Sequence, residues 1–301
     1  MEPLWQTSFG SRFTSANHGI EALFNTAYSE EKFGIRVGGT YRKGENYRAG
    51  GGEVINFSGY NKVNYSIAAS YLVGKRDLIN VSLIGDNAWD VGYPALPMDV
   101  GTADAIIVGA TYDKFLPGKL TQMTAKAYYN HVKHVMDDSN REAEVRMDMP
   151  GQTTTFGGYV KGKYTISEQL SGQVKFDAYR SLAYAEMTMY FQESPPMFME
   201  TWPDVERKVI GIHNQSTFKW NNKTTIAGGI RVEANYIDML SELGERQISV
   251  FNFGDPNPGE IIWNANLKLD RELTEKISVD VKTGFGQRMP TEGEQYGFYL
   301  F

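Results

Sequence analysis

The chain is 301 residues long, with 18 tyrosines, 16 phenylalanines, 5 tryptophans, 31 glycines and no cysteine. Its mean hydropathy of -0.40 and its short apolar stretches, such as Ala105 to Val108, exclude spanning helices, which need ~20 apolar residues each; its aromatic content excludes disorder. The missing cysteines exclude a disulfide framework or a thiolate site from this chain, and a net charge of -6 argues against nucleic acid as a partner.

Met1 is followed by Glu2-Pro3-Leu4-Trp5, with neither a basic nor an apolar leader. This start reads as a cytosolic protein, or as an internal or mature piece of an exported one. From there the pattern has period 2. Strands are predicted at roughly 4–14, 18–28, 32–43, 53–72, 78–89, 104–115, 119–134, 154–166, 169–183, 207–221, 224–238, 260–271 and 275–287. In the third, Phe33, Ile35, Val37 and Tyr41 alternate with Arg36, Thr40 and Arg42; in the twelfth, Trp263, Ala265, Leu267 and Leu269 alternate with Asn264, Asn266, Lys268 and Asp270. Such alternation gives a strand one apolar and one polar face. No stretch has the 3.6-residue period of an amphipathic helix. Most of these strands are about twice the ~5–6 residues usual in soluble sheets, and long enough to cross a bilayer at a tilt, which takes ~9–11.

The connections alternate in length. Short turns fall at 29–31, 74–77, 116–118, 167–168, 221–223 and 271–273, and longer segments at 44–52, 90–103, 135–153, 184–206 and 239–259. Short turns on one rim and long loops on the other describe an antiparallel up-and-down transmembrane β-barrel, all-β, with apolar residues facing lipid and polar ones facing the lumen. Tyr28, Tyr41, Trp89, Tyr112, Trp220 and Tyr236, near strand ends, suit interfacial girdles. A soluble sheet with one wet face is the competing reading.

No motif supports catalysis: the four histidines form no His-Glu-x-x-His, and Gly50-Gly51-Gly52 has no helix after it to cradle phosphate. Asp137, Asp138, Glu142 and Glu144 read as a solvated loop. The methionines carry the pointed chemistry. Met-x-Met pairs occur at Met147/Met149, Met187/Met189 and Met197/Met199, besides His134-x-Met136. Residues two apart on a strand share a side, so each pair offers two soft donors on one face, a set suited to Cu(I). His134 and Met136 share the parity of Lys126 and Asn130, which points them to the lumen. Methionine is also a common gap-filler, and that alternative stands beside the metal reading.

Asp90-Val-Gly-Tyr-Pro-Ala-Leu-Pro-Met-Asp99 resembles an early extracellular loop of the TonB-dependent outer-membrane receptors, in a subgroup that includes copper receptors and receptors of Bacteroidetes-type bacteria. Asp90, Gly92, Tyr93, Pro94, Pro97, Met98 and Asp99 carry that likeness. The stretch from Tyr129-Asn130 through His134–Asp138 to Met149–Gly158 resembles the next strand-loop-strand unit. Gly284–Pro290, Glu294 and Tyr296–Phe301 are similar to a mid-barrel segment, with Gln295 where an arginine is usual. The resemblance implies that residues 1–301 are the N-terminal part of a 22-stranded barrel, about thirteen strands of it, without the plug domain or the remaining strands. It implies uptake of a scarce metal ion or chelate, copper or an iron complex, across the bacterial outer membrane with TonB-delivered energy. The partners would be outer-membrane lipid, the plug, the TonB complex and the ligand. No cofactor is expected; copper would be cargo, held by His134 and Met136 together with a Cys-x-x-x-Met of the plug. The alternatives are a complete passive channel of 12–14 strands, with Tyr299 and Phe301 as an assembly signal, and a soluble all-β binding protein.

Overall fold

The computed structural model describes residues 3–250, 255 and 257–297; Tyr299 and Phe301 lie outside them. Strands β1 (Leu4–Thr14), β2 (Gly19–Ser29), β3 (Phe33–Gly44), β4 (Tyr60–Val73), β5 (Asp77–Val91), β6 (Asp99–Phe115), β7 (Leu120–Asp137), β8 (Arg146–Thr165), β9 (Leu170–Tyr190), β10 (Met197–Asn221), β11 (Thr224–Met239), β12 (Gly259–Thr274) and β13 (Ile277–Phe285) follow one another, with helix α1 (Glu242–Ser249) after β11 and α2 (Glu292–Tyr296) after β13. They form one 13-stranded sheet in which each strand pairs only with its neighbours in sequence, antiparallel throughout. β1 and β13 are its two edges.

The pleat divides the side chains as the alternation requires. One face carries exposed apolar residues from edge to edge: Phe9, Ile67, Val81, Val160, Phe176 and Ile212 among them. The six predicted girdle aromatics share this outward face by register. A soluble sheet would bury such a surface, whereas acyl chains are its natural solvent. Toward the long-loop rim the outward positions turn charged, with Arg180, Glu206, Lys208 and Asp238 in one chain of ion pairs. That rung marks where the apolar band ends.

The other face is polar in the middle and buried near the long-loop rim. Arg231 there reaches across β10 to both oxygens of Asp177, at 2.7 and 2.9 Å. Higher up, Val205, Ile237, Met239, Ile262, Met289 and Tyr296 form a core, because the segment after β13 folds inward over β10 and β11. Arg207 holds it there, donating to the Pro290 carbonyl and pairing with Glu292 at 3.1 Å. Ile84 and Ile107, opposite each other on this inner face, are 47% and 45% exposed.

The sheet departs from the sequence reading in its boundaries. Residues 53–59, expected to begin β4, belong instead to a loop over 45–59 with one bridge between Arg48 and Val54. The segments 135–153 and 184–206, expected as loops, are mostly strand: β7 and β8 pair out to Asp137 and Asp148, and β9 and β10 out to Met189 and Met197. These extensions lie beyond the apolar band, so their apolar residues, such as Ala183, Ala185 and Met187, face inward and the alternation is the inverse of that in the lipid-facing part of the strand. Two α-helices, and a single 3-10 turn at Ser15–Asn17, also occur among the described residues where no helix was expected. α1 is capped by Ser241, whose side chain accepts from Gly244 N, and α2 by a Thr291/Glu294 capping box; both caps satisfy first-turn N–H groups.

Candidate functional site

The extended hairpins decide where the methionines meet. Met136 on β7 pairs with Met149 on β8, and Met187 on β9 with Met199 on β10. The β8–β9 register, Asp148 with Thr188 and Gly151 with Ala185, puts Met149 in line with Met187. One step nearer the rim, Met189 pairs with both Met147 and Met197. Two rows of thioethers thus lie side by side on the inner face of β7–β10, where opposed side chains stand about 5 Å apart at Cβ. Met187 and Met199 are buried; Met136, Met147, Met149, Met189 and Met197 are partly so.

His134 sits one step below the lower row, opposite Gly151. Its ring lies over that glycine: a Cβ on Gly151 would fall 2.8 Å from the imidazole Cε1 and 3.2 Å from Nε2. His134 is beyond the apolar band, and burial holds its pKa below the ordinary 6.5. The imidazole is therefore neutral near pH 7, the form that ligates metal. The inner face thus presents seven thioethers and one imidazole, soft and borderline donors without charge. Among the described residues no group of three or more His, Asp or Glu stands ready for a harder ion.

The hairpin tip is pinned from within. Asp138, almost fully buried, accepts from Arg146 Nε at 2.9 Å and from Met147 N at 3.1 Å. It is an organising residue of the 138–146 turn, contrary to its reading as solvated; Glu142 and Glu144 are exposed. The 90–99 segment forms a tight turn beside this hairpin. Asp90 has a left-handed backbone, φ 49°. Gly92 N donates to Gly59 O at 2.9 Å, so close to the 57–58 backbone that a Cβ on Gly92 would collide with Phe57. Tyr93, Pro94 and Pro97 are exposed, whereas Met98 and Asp99 are buried. Arg141, which sequence reasoning did not single out, reaches Asp99, Tyr93 and Leu96; an arginine in a polar loop carries no pattern that would announce it.

These features define an antiparallel sheet of the outer-membrane barrel type, with thioethers gathered at one inner rim. No protein-family model matches the chain, and no curated protein matches it in sequence. Solved structures share the fold. A structure described as the copper transporter OprC aligns over 96% of this chain and 47% of its own, at 15% identity and a TM-score of 0.83. The FrpB iron transporter from Neisseria meningitidis, in the apoprotein form of its F5-1 variant, aligns over 95% and 46%, at 15% identity and a TM-score of 0.70. The ferric yersiniabactin uptake receptor FyuA from Yersinia pestis aligns over 93% and 46%, at 9% identity and a TM-score of 0.69. The chain thus spans about half the length of these structures.

Proposed function

We propose that this chain forms part of the barrel wall of a TonB-dependent outer-membrane receptor. The receptor takes up a soft metal ion, Cu(I), and the chain acts as transporter wall rather than as enzyme. The observation that carries the reading is the convergence of His134 and seven methionines on one inner rim, the extracellular one in such barrels. Thioethers need no deprotonation, and a neutral imidazole below them completes a set that Cu(I) prefers over Mg²⁺ or Ca²⁺. A plug domain inside the barrel would supply further ligands and couple the site to the TonB complex. It would also cover Ile84 and Ile107, which otherwise leave apolar surface in an aqueous lumen.

The test is competitive titration of the intact receptor with Cu(I), or with Ag(I) as its redox-inert stand-in. His134→Ala with Met136→Ala is expected to weaken binding by at least tenfold. Met149→Leu with Met187→Leu should lower the number of ions bound while costing less than about 1.5 kcal/mol of stability, since Met and Leu are close in volume. Unchanged binding in both double variants would remove the assignment.

A second reading has its own support. Lys161, Lys175, His213 and Arg231 stand in one line across β8–β11 on the inner face. Lys175 and Arg231 share Asp177, but Lys161, directly opposite Lys175, has no ion pair among the described residues. Like charges directly opposed are destabilising, so this end of the row favours an anionic counterpart such as a ferric chelate. Saturable uptake of such a chelate, with no Ag(I) binding at all, would decide for this alternative.

A further inference from the structure

The 90–99 turn and Arg141 fit together as a socket and its key. The Arg141 guanidinium donates through Nε to Asp99 Oδ2 at 3.1 Å and through Nη2 to Asp99 Oδ1 at 2.5 Å. Nη2 also reaches the Tyr93 carbonyl at 2.9 Å, and Nη1 donates to the Leu96 carbonyl. Four of the five guanidinium N–H donors are thus satisfied by one ten-residue turn. The face of the guanidinium lies 4.2 Å from the Phe57 ring centroid, a cation–π contact from a third segment. Tyr93 N donates to Asp99 Oδ1 at 2.9 Å, which closes the turn around its own acceptor. The side chains of Arg141 and Asp99 are only 12% and 9% exposed, so the pair is shielded from the solvent screening that weakens surface ion pairs.

We propose that Arg141 is the positioning residue of the extracellular mouth, joining loops 45–59, 90–99 and 138–145 into one rigid body that fixes the β7–β8 tip carrying Met136 and Met147. The structure gives the motif residues distinct parts in this clamp. Gly92 admits the backbone of the 45–59 loop, Tyr93 and Asp99 form the socket, and the turn through Pro94 and Pro97 aims the Leu96 carbonyl inward. Burial pushes the Asp99 carboxyl up, but hydrogen bonds from Arg141 and from Tyr93 N outweigh it and hold its pKa below the ordinary 3.8. The socket therefore keeps its negative charge near neutral pH. Lysine cannot replace the key: its single ammonium lacks the planar fork that spans a carboxylate and two carbonyls at once. The consequence for metal binding rests on the function proposed above; the clamp itself does not.

The experiment uses the intact receptor, any plug cysteine changed to serine for the distance measurement, with spin labels on Glu53→Cys and Glu144→Cys, both exposed loop positions in a stretch that contributes no other thiol. The parent should give one narrow inter-label distance, and Arg141→Ala, Arg141→Lys and Asp99→Asn each a broad distribution. All should keep the heat-modifiable gel shift of an assembled barrel. A narrow distribution in Arg141→Ala, or full recovery by Arg141→Lys, would overturn the clamp. Ag(I) affinity is expected to fall at least tenfold in Arg141→Ala. A parent that binds no Ag(I) removes the metal reading alone, because the distances still decide the clamp.

Discussion

Gly151 is where a single atom would decide the proposed metal site. The His134 ring occupies the space a Cβ would fill, with Ala185 3.3 Å from that position on the other side. Gly151→Ala is therefore expected to tilt the imidazole off the wall while leaving the ladder intact. Displaced or unsupported ligands lose ~10–100-fold in affinity, so Ag(I) titration should register about a tenfold loss, with unchanged barrel assembly. A Gly151→Ala receptor that binds as tightly as its parent would place the ligand elsewhere. The i, i+2 spacing of Met147/Met149, Met187/Met189 and Met197/Met199 was legible from the sequence, and so was the shared parity of His134 and Met136. That Met136, Met149, Met187 and Met199 form one row was not. Register across four strands depends on where each hairpin turns, and the reading placed those turns inside loops 135–153 and 184–206. Beyond the lipid the outward face turns polar and the inner face becomes the buried one, with Ala183, Ala185 and Met187 inside, so the alternation changes phase and reads as the end of the strand.

At the scale of the element, each strand must satisfy two solvents at once. Ile212 on β10 lies on the outward face opposite Phe176, between Trp220 at one end of the band and Lys208 at the other. An arginine at such a midplane position costs about 2–4 kcal/mol. Ile212→Arg is thus expected to destabilise the intact receptor by that amount in denaturant titrations in liposomes. Gln215→Arg, on the same strand facing the lumen, should change stability by less than about 0.5 kcal/mol. Equal effects from the two variants would refute the assignment of faces. The strand alternation made this division readable in advance, since a lipid-facing row tolerates no charge near the midplane. The helices α1 and α2 were missed because at eight and five residues each is too short for a 3.6-residue period to stand out; both pack on β10.

The whole sheet has two open edges, β1 and β13, each with unpaired backbone groups. Neither can face hydrocarbon unsatisfied, and exposed edges template aggregation. Residues 1–301 expressed alone are expected to aggregate in detergent and to give no heat-modifiable band. A folded 301-residue species with a cross-link between cysteines placed in β1 and β13 would instead support the complete small channel. What the sequence by itself determined is the class of structure: alternating side chains, long strands and alternating connections leave few all-β solutions, because pleat and bilayer impose the same period. What only the tertiary structure decided is which side chains become neighbours. The thioether ladder, the Arg141 socket and the inward fold of residues 286–297 all join segments distant in the chain. No local pattern encodes such contacts, since they are set by register and by the burial of one loop against another.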